Sequence, residues 1–154
     1  YNSIGIEISN PGHKYGYRKF NDKQIRTLIK VSKTLIKKYK IKKTNILGHS
    51  DIAPLRKLDP GEKFPWKALS KNKIGIWHDE SCKKKKLFMD KISEFDLNKF
   101  RKYLIKIGYR IDYTNSFQLK KLTKIFQMRF RPEKVDGKLD FECFMIAKSL
   151  RNLQ

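Results

Sequence analysis

The sequence has only two cysteines, Cys82 and Cys143, in 154 residues, which excludes a small fold held together by disulfides. No apolar run approaches the roughly 20 residues that a membrane-spanning helix needs. Acidic residues are few, 15 against 37 lysines and arginines, so the formal net charge is +22. Hydrophobic residues still make up 39% of the chain, enough for a core, which excludes a disordered protein. The length fits one domain or two small ones.

Arginine is also scarce, since only eight of the 37 basic residues are arginine and the other 29 are lysine. Recognition of phosphates and base edges favours arginine because its guanidinium binds bidentately. The basic field attracts polyanions and carries no information about the fold. No RNP-like, zinc-finger or recognition-helix pattern accompanies it. We therefore expect no specific nucleic-acid partner, only weak binding that salt removes.

The first half of the chain alternates between strand and helix patterns. Isoleucines recur at every second position over 4–8, which predicts a half-buried strand with Glu7 on the opposite face. A 3.6-residue apolar period over 25–39 predicts a helix capped by Asp22, and a short buried strand is predicted over 45–48. Strand, helix and strand in this order predict an α/β domain, with a mixed sheet flanked by helices. Because the first strand starts almost at Tyr1, we expect this domain to be incomplete at its N-terminus.

The second half has a purely helical pattern. Residues 79–86 hold four consecutive lysines and predict a linker. Three helices are then predicted, capped by Asp96, by Asn115 or Ser116, and by Asp140. They predict a small three-helix bundle. We therefore divide the chain into a first domain over 1–78, a linker over 79–86 and a helical domain over 87–154.

The densest group of reactive residues lies between Gly48 and Gly61. His49 ends a predicted buried strand, and Asp59 lies ten residues later on a proline-stiffened loop that can return to the same point. Imidazole nitrogen and carboxylate oxygen are both zinc ligands. Lys57 is spaced to face the same pocket, where its charge can stabilise an oxyanion. Glu7, on a neighbouring strand, can take a proton from a metal-bound water.

Each of these residues also has a purely structural interpretation. A histidine at a strand end is more often a hydrogen-bonded structural residue, and an aspartate before Pro-Gly can be a simple turn residue. Lys57 is one of 29 lysines, and Glu7 can be a surface salt-bridge partner. Composition and spacing alone therefore give only a weak metal hypothesis.

The aromatic residues and Cys143 have alternatives of the same kind. Phe64 and Trp66 either line a substrate groove or, more commonly after such a loop, pack in the core. Cys143 lies on an apolar helical stripe and is expected to be a buried thiol rather than the partner of Cys82.

Several motifs within residues 1–78 combine into a specific pattern. They are Ser3-Ile4-Gly5-Ile6-Glu7-Ile8, Asn10-Pro11-Gly12-His13, Gly48-His49-Ser50-Asp51-Ile52-Ala53-Pro54, Arg56-Lys57-Leu58-Asp59-Pro60-Gly61, Phe64-Pro65-Trp66 and Ile74-Gly75-Ile76-Trp77. Together they resemble the zinc-dependent N-acetylmuramoyl-L-alanine amidases of the AmpD and AmiD type. Residues 87–150, with motifs at 126–127, 130–132 and 135–137, resemble the three-helix peptidoglycan-binding module. Both modules in this order point to the AmiD-like branch.

The resemblance implies hydrolysis of the amide bond between N-acetylmuramic acid and L-alanine in peptidoglycan or muropeptides. It implies Zn²⁺ as the cofactor, with His49 and Asp59 as ligands. Glu7 would be the general base and Lys57 the group that stabilises the tetrahedral oxyanion. The substrate-binding residues would be His13, Phe64 and Trp66.

One zinc ligand is missing from this pattern. Catalytic zinc takes three protein ligands, and the family supplies a further histidine from a strand that would precede Tyr1. His13 fits the rim of the pocket better than the metal, and His78 is expected to be exposed, so neither is a good replacement. We therefore expect this chain alone to bind zinc poorly and to be inactive. The alternative function is that of a non-catalytic peptidoglycan-binding protein with a truncated amidase fold.

The resemblance also implies a location and partners. We expect the protein in the bacterial cell envelope, either in the periplasm or attached to the outer membrane, with the cytoplasm as the alternative. Membrane anchoring would act through a segment that precedes Tyr1. The expected partner is peptidoglycan or a muropeptide, and the expected oligomeric state is a monomer.

Overall fold

The computed structural model of the chain describes residues 2–79, 81, 94–109 and 115–153. Within these ranges the α-helices are α1 (Asp22–Tyr39), α2 (His49–Ile52), α3 (Trp66–Lys71), α4 (Glu94–Ile107), α5 (Ser116–Phe130) and α6 (Phe141–Leu150). Short 3₁₀ helices lie at His13–Tyr15, Lys43–Asn45 and Arg151–Leu153. None of the helices in these ranges has the length and apolar character needed to cross a bilayer.

The prediction of an α/β fold with a mixed sheet is wrong, because the described residues contain no strand. Residues 2–10 form neither a helix nor a strand, and Ile4 and Ile6 are 51% and 44% exposed. A strand exists through hydrogen bonds to a neighbouring strand, and alternation in the sequence does not reveal whether a neighbour is present. The second predicted strand is replaced by the 3₁₀ helix Lys43–Asn45 and an extended stretch in which Leu47 is exposed.

Helix α1 begins with a capping box one residue earlier than predicted. The backbone N–H of Gln24 donates to Asn21 Oδ1 at 2.9 Å, and the Asn21 N–H donates to Gln24 Oε1 at 3.0 Å. Asn21 is therefore the cap, and Asp22 is the first helical residue. Gln24 also donates from Nε2 to the carbonyl oxygen of Ser9 at 2.7 Å. The cap thus ties residues 2–10, through Ser9, to the start of α1.

The first hydrophobic core lies between α1 and α3. Its buried members are Phe64, Trp66, Leu69 and Ile74, and apolar side chains of α1 pack against them. The rings of Phe64 and Trp66 meet edge to face, with centroids 4.8 Å apart. Both rings are buried, as the core-packing interpretation requires. Ile8 also packs on this core and anchors the segment that carries Glu7.

The second hydrophobic core is formed by α4, α5 and α6. Asn115 caps α5 and Asp140 caps α6, which confirms both predicted caps. Helix α4 begins at Glu94, before the predicted cap Asp96. The predicted apolar stripes are buried, namely Phe100, Leu104, Ile107, Leu119, Leu122, Phe126, Phe130, Cys143, Phe144, Ala147 and Leu150.

Cys143 is a free thiol, and its burial raises its pKa to about 12. Cys82 lies outside the described residues.

The two cores meet at residues 76–78. Ile76 belongs to the second core, and Trp77 packs against both. His78 is only 4% exposed, so its predicted exposure is wrong. Its two ring nitrogens each lie 3.0 Å from a backbone carbonyl oxygen, one of Asp79 and one of Phe130. A neutral imidazole has one N–H, so it donates to one of these two oxygens, and this hydrogen bond offsets part of the cost of burying the ring.

Candidate active site

His49 and Asp59 converge, as the spacing between them predicts. His49 is the first residue of α2, and the loop that follows returns so that Asp59 Oδ2 lies 2.8 Å from His49 Nδ1. The backbone N–H of Ser50 donates to the carbonyl oxygen of Asp59 at 2.8 Å. The two side chains remain 49% and 59% exposed, so the pair is accessible from solvent.

The loop between the two residues is held by local contacts. The carbonyl oxygen of Ala53 accepts hydrogen bonds from the backbone N–H groups of Arg56 and Lys57, both at 2.9 Å. Lys57 is half-buried, whereas Arg56 is exposed. A Cβ at Gly48 would lie 2.6 Å from Pro60 Cδ, so only glycine fits where the two ends of the loop touch. The sequence therefore folds this stretch into one compact turn.

The pair offers the right donor atoms for zinc but not a complete ligand set. An imidazole nitrogen and a carboxylate oxygen this close together can bind one Zn²⁺ ion. A catalytic zinc site has three protein ligands. In residues 2–79, 81, 94–109 and 115–153, no group of three His, Cys, Asp or Glu side chains is arranged to hold a metal. The described residues thus bring together two potential metal ligands, His49 and Asp59, without a third.

Glu7, the predicted general base, lies within residues 2–10 and is exposed. Ile8 and Ser9, which follow it, are fixed by the first core and by Gln24. Its predicted role requires the carboxylate to reach a water beside His49 and Asp59.

His13 belongs to a brace next to the end of the loop. Its Nε2 lies 2.9 Å from Glu62 Oε2, and its ring stacks obliquely on Tyr17 at 4.3 Å between centroids. The Tyr17 hydroxyl donates to the carbonyl oxygen of Pro60 at 2.7 Å and accepts from the Lys63 N–H at 2.8 Å. Burial raises the pKa of Tyr17 to about 12, so the phenol stays a hydrogen-bond donor at neutral pH. Sequence reasoning missed Tyr17.

Asp51 is the buried centre of a second network, directly behind His49. Its Oδ2 accepts from the Gly48 N–H at 2.7 Å and from Arg129 Nη1, and its Oδ1 accepts from the Tyr109 hydroxyl at 2.9 Å. The side chains of Arg129 and Asp51 are only 4% and 6% exposed. Burial, and then the charge of Asp51, raise the pKa of Tyr109 well above its usual value. The sequence did not reveal the roles of Asp51, Tyr109 and Arg129. The one indication was that Arg129 is a charged residue inside the apolar pattern of α5.

Comparison with known proteins gives consistent matches. Residues 1–62 match the family model described as N-acetylmuramoyl-L-alanine amidase. The chain is 36% identical to N-acetylmuramoyl-L-alanine amidase AmiD of Escherichia coli (strain K12) over 159 residues, covering 96% of this chain and 56% of AmiD. It is 45% identical to 1,6-anhydro-N-acetylmuramyl-L-alanine amidase AmpD of Enterobacter cloacae over 64 residues, covering 42% of this chain and 32% of that protein.

Solved structures agree with the sequence matches. The complex of E. coli AmiD with anhydro-N-acetylmuramic acid-L-Ala-D-gamma-Glu-L-Lys superposes with a TM-score of 0.80 at 32% identity, covering 90% of this chain and 55% of that one. The chain therefore spans little more than half the length of AmiD. These similarities make the chain a homologue of the AmiD- and AmpD-type N-acetylmuramoyl-L-alanine amidases.

Proposed function

We propose that the protein hydrolyses the amide bond between N-acetylmuramic acid and L-alanine in peptidoglycan or muropeptides. The observation that carries this proposal is the accessible pair of His49 and Asp59, whose Nδ1 and Oδ2 atoms lie 2.8 Å apart. The pair lies in a chain homologous to amidases whose names state this bond. Amide hydrolysis needs an activated water and a group that stabilises the charge developing on the carbonyl oxygen.

His49 and Asp59 are proposed to hold a zinc ion, together with a third ligand from outside the described residues. Zinc, when bound, lowers the pKa of its water to about 7. Glu7 accepts the proton of the attacking water, and Lys57 stabilises the oxyanion. His13 contacts the substrate at the rim of the pocket. Phe64 and Trp66 support the substrate-binding surface from within the core.

The remaining parts of the proposal concern the helical half and the location. Residues 87–154 are proposed to bind peptidoglycan, and residues 1–78 to carry the catalytic site; most of the predicted linker 79–86 lies outside the described residues. The protein would act as a monomer in the bacterial cell envelope. The net charge of +22 favours encounter with the carboxylates of peptidoglycan stems.

The proposed activity is tested with the natural full-length protein and a purified anhydro-muropeptide. Cleavage is expected to release a peptide with a free L-alanine amino terminus, which liquid chromatography with mass spectrometry detects. Removal of divalent metal with a chelator is expected to abolish the release, and added Zn²⁺ to restore it. If the protein binds sacculi but releases no peptide from sacculi or from the anhydro-muropeptide, the non-catalytic alternative is favoured.

The incomplete ligand set gives a separate prediction about the 154-residue chain alone. Two ligands hold zinc much less firmly than three, so isothermal titration with ZnCl₂ is expected to show only weak binding. The variant His49→Ala is expected to remove even this weak signal. Tight one-to-one binding that survives His49→Ala would contradict the proposed site.

A further inference from the structure

Helix α2, which carries His49, is too short to hold its own shape. It spans four residues, about one turn. A first helical turn fixes several residues for a single hydrogen bond and is unfavourable in isolation. The placement of His49 must therefore come from contacts that α2 makes with the rest of the molecule.

The contacts that hold the inner side of α2 end on Asp51. Its two carboxylate oxygens accept hydrogen bonds from Gly48, Tyr109 and Arg129, so one side chain joins the start of α2 to the helical half of the chain. A buried carboxylate is costly unless it is paired and hydrogen-bonded. Arg129 supplies the opposite charge. Asp51 therefore fixes α2 only while Arg129 is present.

Arg129 is itself held in one position. Its Nη2 donates to the carbonyl oxygen of Ile46 at 3.1 Å, and its guanidinium carbon lies 4.1 Å from the centre of the Trp66 ring. The guanidinium thus contacts the stretch before His49 as well as helix α2, which begins at His49. A flat, stacked and multiply bonded guanidinium orients its partners more firmly than a lysine amine does.

A second residue of α5 contacts the loop between His49 and Asp59 after helix α2 has ended. Lys121 donates from Nζ to the carbonyl oxygen of Leu55, two residues before Lys57. Helix α5 thus touches the catalytic loop, defined here as residues 46–59, on both sides of Ala53.

We propose that Asp51 and Arg129 are positioning residues for His49 and Lys57, so that α5 sets the geometry of the catalytic loop. The consequence for activity rests on the proposed function, whereas the consequence for the order of the loop does not. On this proposal the helical half of the chain is part of the catalytic unit as well as a candidate wall-binding module.

The test compares two buried arginines of the same region by amide hydrogen exchange on the full-length protein. Arg129→Gln is expected to speed exchange of the Ser50, Ala53 and Lys57 amides by about tenfold or more through local opening. Arg131 provides the matched control, because it is also buried and its Nη1 bonds the α6 cap Asp140 at 2.6 Å. Arg131→Gln is expected to speed exchange at the start of α6 and to leave the loop amides unchanged.

Activity gives the second readout. Arg129→Gln is expected to lower kcat for the muropeptide roughly 10- to 100-fold with a small change in KM, and Arg129→Lys to recover part of the loss. If Arg129→Gln does not fold, Tyr109→Phe removes only one donor to Asp51 and is expected to speed the same loop amides to a lesser degree. The proposal would be overturned if exchange of the loop amides became faster to the same extent in Arg129→Gln and Arg131→Gln. It would also be overturned if neither Arg129→Gln nor Tyr109→Phe changed that exchange. Faster loop exchange in a protein without amidase activity would support it and reject the proposed function.

Discussion

Replacing Glu7 by glutamine is expected to lower kcat for hydrolysis of the muramoyl–L-alanine amide by roughly 10²- to 10⁴-fold. Glutamine keeps the size and the hydrogen-bonding ability of the side chain but cannot accept the proton of the attacking water. The substrate contacts are unchanged, so KM is expected to change little. Steady-state kinetics on the zinc-loaded full-length protein measure both constants.

Two control variants separate proton transfer from the loss of one negative charge. Glu7→Asp keeps a carboxylate at a shorter reach and is expected to retain part of the activity. Asp22→Asn removes an exposed carboxylate from the first turn of α1 and is expected to leave kcat unchanged. If the Glu7→Gln variant keeps the full kcat, Glu7 is not the general base. The proposed amidase activity would then rest on His49 and Asp59.

The helices were predictable because their determinants are local. The side chains of Asn115 and Asp140 accept hydrogen bonds from backbone groups three residues later, so the cap and the amide that it satisfies lie within one turn. The apolar period of each helix also follows from neighbouring residues. The cap of α1 was misplaced by one position because Asn21 and Asp22 are both good capping residues.

The absence of a sheet from the described residues was not predictable, because strand pairing depends on partners that are distant in the sequence. The alternation over 4–8 predicts a half-buried strand, but in the structure residues 2–10 form neither a helix nor a strand. Whether such a segment forms a strand depends on a neighbouring strand that it can pair with, and the described ranges contain no strand. The exposed Ile4 and Ile6 show that alternation alone does not guarantee burial.

The site divides in the same way between local and distant determinants. The convergence of His49 and Asp59 follows from ten residues of proline-stiffened loop, so the sequence predicted it. The pairing of Asp51 with Arg129 joins residues 78 positions apart. No local pattern predicts such a pair, and the burial of His78 against Phe130 was missed for the same reason.

Replacing Lys57 by methionine is expected to lower kcat by roughly 10²- to 10³-fold, the usual effect of removing one group that stabilises an oxyanion. Methionine preserves most of the apolar stem of a half-buried lysine, so the fold of the loop is expected to survive. The charge matters mainly once the carbonyl oxygen becomes negative, and KM is therefore expected to change little. The kinetics are measured on the same muropeptide as for Glu7→Gln.

The neighbouring Arg56 makes a matched control for Lys57, because it is exposed and donates from its N–H to the same Ala53 carbonyl oxygen. Arg56→Met removes an equal charge one residue away. If Lys57 acts directly on the oxyanion, only Lys57→Met loses kcat, and Lys57→Arg recovers part of it. If the two methionine variants lose activity equally, the effect comes from the general positive field of the protein, and Lys57 has no specific catalytic role.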